Sequence, residues 1–412
     1  MATEIASPAG TEGGALKQIL FVDDDELLLE ALRDALRPYR RRWQMTFVTS
    51  SADALATLAE QPYDVVVSDL RMPSMDGASL LDLVRERCPA AVRIVLSGHA
   101  DMTMVARAAA VAHRLIAKPC ETAELATVIE RSCAIVDMAA RVKLDRHAIG
   151  ASALPSVPRI YAELSELMAT GTASAADAAH VVERDIAMAA KVLQLANCAY
   201  FGRRTPVASV PDAVAYLGVD ALRALVLHTV AFQQFDVGPR VPGFSVEALH
   251  DHCIRVAQLA SAIVSDPHTR GAAFTAGLLH DVGLLVLAWQ DRDEVAEMLA
   301  IAHAQRCPIA VVERCRHGVT HAEVGAHLLA LWGLPHTVTE AVARHHDTQR
   351  PRLPLDSMSA TRVANILVEE FEAAEHSGVL PAAQFDQDYL EQPGTAQQLA
   401  QWRGVAARVF AS

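Results

Sequence analysis

Short β-branched runs alternate with helical segments through the first 120 residues, and this alternation constrains the fold more than any other feature. The apolar runs are ILFV, MTFV, DVVVSD, RIVLS and RLIAK, at residues 19–22, 45–48, 64–69, 93–97 and 114–118. Helical patterns fall between them, at 27–37, 52–60, 78–87 and 102–112. Strands and helices that alternate at this spacing form a doubly wound parallel sheet, with functional loops at the carboxyl ends of the strands. We therefore expect an α/β domain built on a five-stranded parallel sheet.

The character of the chain changes near residue 145. A helical pattern runs from Glu121 to about His147, and the segment GASALPSVP at 150–158 then marks a boundary. Beyond it, helices rich in Ala, Leu and Val dominate, which predicts an all-α second half. The expected organisation is a disordered N-terminus at 1–16, the α/β domain at 17–135, a linker helix and loop at 136–153, the all-α domain at 154–370 and a helical tail at 371–412. The tail could cap the helical bundle or provide a docking surface.

Charge and composition narrow the range of partners. A formal net charge of −13 argues against broad nucleic-acid binding, because counterion release needs clustered Lys and Arg. The basic run RPYRRRW at 37–43 is typical of a solvated helix end. The longest apolar stretches are too short or too interrupted to span a bilayer, and the N-terminus lacks a signal-peptide pattern. Seven cysteines without a CxxC pair indicate free thiols in a reducing compartment. We expect a cytoplasmic protein with no nucleic-acid or membrane partner.

Reactive side chains stand at the ends of four predicted strands. Asp23–Asp25 end the first strand, Asp69 the third, Ser97 the fourth and Lys118 the fifth. Because the carboxyl ends of parallel strands converge on one face, these groups should meet in one pocket. Carboxylates this close repel one another unless a hard cation joins them, and an all-oxygen donor set suits Mg²⁺. The pocket either binds Mg²⁺ and a phosphoryl group in line with a carboxylate nucleophile, or is a structural ion-pair cluster.

With these residues, the predicted α/β domain resembles the receiver domain of two-component response regulators. The MPSMDG segment after Asp69 and the KP pair that ends the fifth strand belong to the same resemblance. It implies that Asp69 is the phospho-acceptor and that Asp23, Asp24 and Asp69 hold Mg²⁺. It also implies that Ser97 and Lys118 contact the phosphoryl group. A cognate histidine kinase or phosphotransfer protein is then the expected partner.

One departure from the family concerns signal transmission. The aromatic residue that receiver domains carry on the fifth strand is replaced here by Leu115. Phosphorylation is still expected, but rotation of an aromatic side chain cannot transmit it. The helical pattern at 121–147 either carries the signal or is a plain packed linker.

The segment GLLHDVG at 277–283 raises a second question about function. The pair His280-Asp281 within an apolar run can be a pair of metal ligands, a buried hydrogen-bonded pair or the remnant of a lost active site. From about Leu154 to His346 the chain resembles the HDOD family of signalling output domains, most specifically in NCAYFG at 197–202 and HAEVGAHLLALWGLP at 321–335. The parent HD superfamily includes metal-dependent phosphohydrolases. The metal ligands of that superfamily map to His252, His280, Asp281, His321, His345 and His346.

Three departures argue against catalysis by the helical half. In the cyclic di-GMP phosphodiesterases of the HD superfamily a lysine follows the HD segment, where this chain has Leu284. Asn365 takes the place of the last carboxylate ligand, and no GYP segment follows His346. Taken singly, each histidine is more often a satisfied buried residue than a ligand. Together the six residues could still hold one or two divalent transition metal ions.

The main hypothesis is therefore a response regulator whose HDOD domain acts by binding an output protein or a ligand rather than by catalysis. The alternative is a phosphorylation-controlled, metal-dependent phosphohydrolase that acts on a cyclic dinucleotide. A DNA-binding output would need a basic recognition helix, which the sequence lacks. The chain could also form a homodimer.

Overall fold

The described parts of the chain cover both predicted domains. The computed structural model describes residues 16–89, 91–98, 111–141, 174–197, 206–218, 244–347, 351–375 and 394–410, with a few isolated positions between them. The predicted disordered N-terminus lies outside the described residues, apart from Leu16. The boundary segment 150–158, most of the predicted helix 102–112 and the CAYFG residues at 198–202 also lie outside them.

Five parallel strands form the sheet of the N-terminal domain, in the order β2-β1-β3-β4-β5. This confirms the predicted doubly wound parallel sheet. The strands are β1 (Lys17–Val22), β2 (Trp43–Val48), β3 (Val65–Asp69), β4 (Val92–Ser97) and β5 (Arg114–Ala117). The helices are α1 (Glu26–Ala35), α2 (Ser51–Glu60), α3 (Gly77–Arg87) and α4 (Thr122–Arg141), with a 3-10 helix at Arg37–Arg41.

Burial along the central strand explains the near-continuous apolar runs of the sequence. Every residue of β3 is buried, as is every residue of β4. A parallel strand covered by helices on both faces has no solvent side, so its residues do not alternate between apolar and polar. Side-chain caps fix the starts of the surrounding helices: Ser50 accepts from Asp53 N, and Asp76 accepts from Ser79 N.

Gly77 allows α3 to begin beside the end of β3. A Cβ atom on Gly77 would lie 2.0 Å from Asp69 O, a backbone atom that cannot move aside. The Gly77 amide instead donates to Leu70 O at 2.9 Å. The glycine of the MDG segment is therefore a requirement of close packing around Asp69.

The second half of the described chain is helical, which confirms the predicted all-α domain. Its helices are α5 (Ala175–Val182), α6 (Ile186–Ala196), α7 (Val246–Ile263), α8 (Pro267–Leu279), α9 (Val282–Gln290), α10 (Arg292–Gln305), α11 (Ile309–His317), α12 (His321–Leu331), α13 (His336–Ala343), α14 (Ser357–Glu375) and α15 (Thr395–Phe410).

The C-terminal helix covers one side of this bundle. Leu399, Trp402 and Ala406 of α15 are buried in a cluster with apolar residues of α7 and α14. The helix α14 itself runs without a break through residue 370, where the sequence placed the end of the all-α domain. The C-terminal residues thus extend the bundle instead of standing apart from it.

One apolar stretch in the described chain is long enough to cross a membrane by length and composition alone. This stretch, Pro267–Ala288, contains α8 and most of α9, and 89% of its most apolar window is buried inside the protein. The helices α7 and α14 pack against α8, and α12 packs against α9. Such burial is characteristic of the core of a helical domain.

Candidate functional site

The strand register brings three of the predicted site residues of the N-terminal domain to one edge of the sheet. Asp69 of β3 pairs with Leu96, and Ser97 of β4 pairs with Ala117. Lys118 follows Ala117 directly, so its side chain starts at the same level. The Lys118 ammonium donates to Asp23 Oδ2 at 2.6 Å and also to Asp69 Oδ1. The carboxyl ends of β1, β3 and β5 therefore share one cation.

The three successive aspartates after β1 have different environments. Asp23 is buried and accepts from the Asp25 amide at 3.1 Å. Asp25 caps α1, accepting from the amides of Leu27 at 3.0 Å and Leu28 at 3.1 Å. Asp24 lies between them and is exposed. Sequence reasoning predicted the acidic cluster but missed the capping role of Asp25, although its position before a helical pattern is a signal for an N-cap.

The electrostatics of this site suit a carboxylate nucleophile. Burial raises the pKa of Asp69 above its ordinary value, and the hydrogen bond from Lys118 offsets only part of this rise. Burial opposes the charge of Lys118, but hydrogen bonds from it to Asp23 and Asp69 raise the pKa of Lys118 overall. The Ser97 hydroxyl is buried and has no hydrogen-bond partner within the described residues. A phosphoryl oxygen would supply the partner that it lacks.

The oxygen donors of this edge also fit Mg²⁺. Asp23 and Asp69 both direct a carboxylate oxygen at the Lys118 ammonium. Asp24 is adjacent in sequence and accessible to water. Hard oxygen ligands with room for water are the environment that Mg²⁺ prefers.

A second group of reactive side chains is buried in the helical domain. Asp281, at the turn between α8 and α9, lies at its centre. Asp281 Oδ1 is 3.2 Å from His321 Nε2 and 3.4 Å from His345 Nε2. Asp281 Oδ2 is 3.3 Å from His280 Nε2. His346 Nε2 lies 2.9 Å from His321 Nε2. The structure thus brings together the residues that the sequence singled out.

Glycines allow the helices that carry these residues to approach closely. A Cβ atom on Gly277 would lie 2.7 Å from the Cα atom of Ala257, in α7. A Cβ atom on Gly283 would lie 2.0 Å from His321 O, at the start of α12. The two glycines of GLLHDVG therefore bring His280 and Asp281 against α7 and α12.

In two histidines of the cluster, Nδ1 hydrogen-bonds to a backbone carbonyl and Nε2 lies beside the Asp281 carboxylate. The Nδ1–H groups of His280 and His345 donate to Gly277 O and Val342 O, each at 2.7 Å. Burial lowers the pKa of His345 to about 4, so this imidazole is neutral at pH 7 and carries a lone pair on Nε2. The Nε2 atoms of His280 and His345 are buried and have no hydrogen-bond partner within the described residues. The Nε2 lone pair of neutral His345 and the Asp281 carboxylate repel each other unless a cation lies between them.

Two carboxylates, one buried and one partly buried, hydrogen-bond to the Nδ1 atoms of two histidines in the cluster. Glu313 Oε2 lies 2.8 Å from His321 Nδ1, and Glu372 Oε2 lies 3.0 Å from His252 Nδ1. Burial opposes a charge on His321, but Glu313 raises the pKa of His321 to about 10. A carboxylate that holds the far nitrogen of a ligand histidine is a common feature of metal sites. Sequence reasoning missed both glutamates, since neither stands in a recognisable motif.

Two sets of donor atoms are close enough to hold a metal ion. In each set the ligand atoms lie within 4.8 Å of one another. One set is Asp281, His321, His345 and His346, and the other is His252, His280 and Asp281. Nitrogen-rich donors with one carboxylate suit divalent transition metals such as zinc.

Family models match both halves of the chain. The model of the response regulator receiver domain matches residues 19–130, and the model of the HDOD domain matches residues 154–348. The probable chemotaxis protein CheY of Rhizobium etli is 33% identical over 116 residues, which are 27% of this chain and 89% of that protein. The chain belongs to the response regulators. It joins a receiver domain to an HDOD domain.

Other similar proteins cover different shares of this response regulator. The hydrogenase transcriptional regulatory protein HoxA of Cupriavidus necator is 41% identical over 83 residues, which are 20% of this chain and 17% of HoxA. The chain therefore spans less than a fifth of the length of HoxA. The crystal structure of the MmoQ response regulator of Methylococcus capsulatus is 25% identical, with a TM-score of 0.49, over 63% of this chain and 98% of that one.

The receiver domain of this response regulator contacts its HDOD domain along β5 and α4. Arg114 Nη1 donates to Asn197 O at 3.3 Å, and Gln194 Nε2 donates to His113 O at 3.1 Å. The helix α4 packs against α12. Because Lys118 directly follows β5 and His321 begins α12, each candidate site lies next to an element of this contact.

Proposed function

We propose that this response regulator accepts a phosphoryl group on Asp69 from a cognate histidine kinase or phosphotransfer protein in the cytoplasm. Phosphorylation then changes what its HDOD domain binds. The observation that supports this most directly is the Lys118 ammonium held between Asp23 and Asp69. An ion pair built for stability alone would not need the unpartnered Ser97 hydroxyl at the same edge.

Asp69 is the nucleophile of the proposed reaction. One carboxylate oxygen attacks the phosphorus of a phosphohistidine, so that an O–P bond forms while the P–N bond breaks. The electron pair of that bond stays on the donor imidazole, which takes up a proton. Lys118 and Ser97 contact the transferred oxygens and stabilise their charge. Asp23, Asp24 and Asp69 would hold Mg²⁺, which offsets the charge of the phosphoryl group when bound.

The signal reaches the HDOD domain through the contact along β5 and α4. A phosphoryl group on Asp69 changes the position of the Lys118 ammonium, which immediately follows β5. Arg114 at the start of β5 and His113 before it contact α6 and the residue after it. Leu115 is buried, so the path depends on the backbone of β5 and on α4 rather than on an aromatic switch.

The HDOD domain acts as a binding module rather than as an enzyme. Leu284, which stands where a phosphodiesterase would carry its phosphate-binding lysine, is a buried apolar side chain. Asn365 brings no charge to the cluster. We infer that the cluster nevertheless binds a divalent transition metal ion, through the ligand set His252, His280, Asp281, His321, His345 and His346. An output protein is the partner that this domain recognises.

The test of the receiver assignment is labelling by a small phosphodonor such as acetyl phosphate in the presence of Mg²⁺. Asp69→Asn should abolish the label, because an amide cannot form the acyl phosphate. Asp82→Asn, on the surface of α3, makes the same chemical change away from the site and should keep the label. Labelling that survives in Asp69→Asn would overturn the assignment.

The cluster of metal donors is the specific observation that favours the second candidate, a phosphohydrolase. We expect no hydrolysis of cyclic di-GMP by the full-length protein with Mn²⁺ or Fe²⁺ supplied. The developing charge of a phosphodiester transition state needs cations directed at it, and each missing contact commonly costs about a hundredfold in rate. Turnover by the wild type that Leu284→Lys with Asn365→Asp does not improve would contradict the binding-module proposal.

A further inference from the structure

The outer strand β2 pairs with β1 along one edge, and its other edge faces away from the sheet. Arg42 O and Val48 O accept hydrogen bonds from amides at the two ends of β1, at 3.0 and 3.2 Å. The even-numbered residues of this segment therefore direct their backbone groups at β1. Because backbone groups alternate in direction along a parallel strand, the N–H and C=O groups of Met45 and Phe47 point to the other edge.

This second edge of β2 is open in the part of the chain that the structure describes. The outward backbone groups of Met45 and Phe47 have no hydrogen-bond partner among the described residues, and both residues are partly exposed. The start of β5, the outer strand on the opposite side of the sheet, instead contacts the HDOD domain. A row of unpaired backbone groups on an outer strand is a template for a further strand.

Arginines stand at both ends of this open edge. The Arg33 guanidinium of α1 lies 4.9 Å from the centre of the Phe47 ring, near the end of β2. The 3-10 helix packs against the start of β2, where the rings of Tyr39 and Trp43 stack with their centres 4.5 Å apart. This helix and the residue after it carry four further exposed arginines, which are Arg37, Arg40, Arg41 and Arg42.

Most of this positive charge is not balanced within the described residues. Arg42 pairs with Glu130 at 2.5 Å. The side chains of Arg37, Arg40 and Arg41 make no ion pair and no hydrogen bond there, although Asp34 lines the same surface cleft. The excess is positive on a chain whose formal net charge is −13. A local charge of this sign favours an acidic partner, because opposite charges attract across an interface.

We propose that the open edge of β2 is a docking site for an acidic, extended segment of a partner protein, which adds to the sheet as a further outer strand. The backbone groups of Met45 and Phe47 supply the hydrogen bonds, and the arginines at the two ends of the edge select acidic side chains. The site goes beyond the proposed function, since neither phosphorylation of Asp69 nor metal binding enters into it.

A second copy of this chain fits the edge poorly. Two β2 strands related by a two-fold axis run antiparallel, so the start of each strand lies beside the end of the other. Arg40 and Arg41 of each copy would then approach Arg33 of the other copy, and like charges placed opposite each other are destabilising. The arginines thus exclude copies of this chain but admit an acidic strand.

The test is binding of a short fluorescent peptide of alternating Glu and Val to the full-length protein, followed by anisotropy. The peptide should bind, and its affinity should fall as added salt screens the arginines. A matching peptide of alternating Lys and Val should not bind. Arg40→Gln with Arg41→Gln should weaken binding of the acidic peptide by about three- to tenfold. The matched control Arg87→Gln, at the exposed end of α3, should leave the affinity unchanged.

Hydrogen exchange separates strand addition from loose attraction. At saturating peptide the amides of Met45 and Phe47 should exchange at least about tenfold more slowly. The amides of Gln44 and Thr46, which point at β1, should change little. A peptide N-methylated on every residue keeps its charges but has no N–H to donate, so it should bind at least about tenfold more weakly. This comparison leaves the protein unaltered, so a damaged fold cannot explain the loss.

Several results would overturn the proposal. These are absence of peptide binding, equal binding of the acidic and basic peptides, and binding that leaves the amides of Met45 and Phe47 unprotected. Protection of these amides at high protein concentration without peptide would mean that a second copy occupies the edge. Tighter binding of single-stranded DNA than of the acidic peptide would mean that the arginines recognise phosphates instead.

Discussion

At the scale of single residues, Lys191 of α6 is the charge whose burial has the clearest consequence for stability. Its ammonium is buried and has no hydrogen-bond partner within the described residues, and burial lowers its pKa to about 8. Because this folded-state pKa lies below the ordinary value of 10.5, the charged form opposes folding at neutral pH. The free energy of unfolding should therefore rise as the pH increases from about 8 to about 10.5.

Lys191→Met should raise the stability at pH 7 by up to about 3 kcal/mol, from roughly 1.4 kcal/mol for each unit of pKa. It should also remove the rise in stability between pH 8 and 10.5. Thermal unfolding followed by circular dichroism at several pH values measures both effects. A lower melting temperature for the variant at pH 7 would mean that Lys191 is stabilised by its surroundings.

Asp24 and Asp25, next to the proposed phosphorylation site, should respond differently to replacement by alanine. Asp25→Ala removes the cap of α1 and should cost about 1 kcal/mol of stability. Asp24→Ala changes an exposed side chain, so it should leave stability unchanged but weaken Mg²⁺ binding and slow labelling by acetyl phosphate. Denaturant unfolding and the labelling rate separate the two roles. Equal losses of stability in both variants would contradict the separate environments of these side chains.

At the scale of secondary-structure elements, the end of α12 is where the receiver domain meets the HDOD domain. Gly333, two residues after α12, has a positive φ of 89°, and a Cβ atom there would lie 1.4 Å from Arg114 Nη1. Gly318, at the end of α11, has a positive φ of 73° but no atom within 4 Å of such a Cβ. Gly318 and Gly333 both have a positive φ, but only Gly333 lies against another side chain, that of Arg114.

Gly333→Ala should therefore loosen the contact along β5 and α4, whereas Gly318→Ala should only strain its own turn. Hydrogen exchange provides the measurement: the amides of β5 and α4 should exchange faster in Gly333→Ala and at the wild-type rate in Gly318→Ala. Faster exchange in both variants would show that the effect comes from backbone strain and not from Arg114.

At the scale of the whole molecule, metal binding should stabilise the HDOD domain. An ion that binds only the folded state adds about 2.7 kcal/mol when its concentration is a hundred times its dissociation constant. Adding Zn²⁺ to metal-stripped protein should raise the melting temperature, and the rise should become much smaller in Asp281→Ala, since both sets of donor atoms include this carboxylate. A rise of the same size in Asp281→Ala would place the stabilising ion elsewhere.

Metal and phosphoryl group should also influence each other, because His321 begins the helix that packs on α4. Any coupling free energy between two sites acts equally in both directions. If phosphorylation changes the affinity for Zn²⁺ by some factor, Zn²⁺ must change the phosphorylation equilibrium by the same factor. Titrations with and without beryllofluoride, a phosphoryl mimic, measure this factor. We expect Gly333→Ala to reduce it, and an unchanged factor would exclude the contact of Arg114 with Gly333 as the path.

The sequence by itself determined the order of elements and the chemistry available to them. A short β-branched run such as VVVSD, placed between helical segments, favours a strand covered on both faces, so the parallel sheet was predictable from local pattern. The meeting of Asp69, Ser97 and Lys118 at one edge of that sheet was also predictable, because each stands at the carboxyl end of a strand. The histidine set was predictable by resemblance, because it falls in recognisable segments.

Only the tertiary structure decided which carboxylates hydrogen-bond to the histidines of the cluster and how the receiver domain contacts the HDOD domain. Glu313 and Glu372 resemble any glutamate on a helix, and their hydrogen bonds to His321 and His252 span 8 and 120 residues of sequence. The contact of Arg114 with Asn197 spans 83 residues. A helix surface shows its own periodicity in the sequence but not which other surface covers it. Packing decides that, since a hydrogen bond or a close contact exists only where two distant elements are brought within a few ångströms.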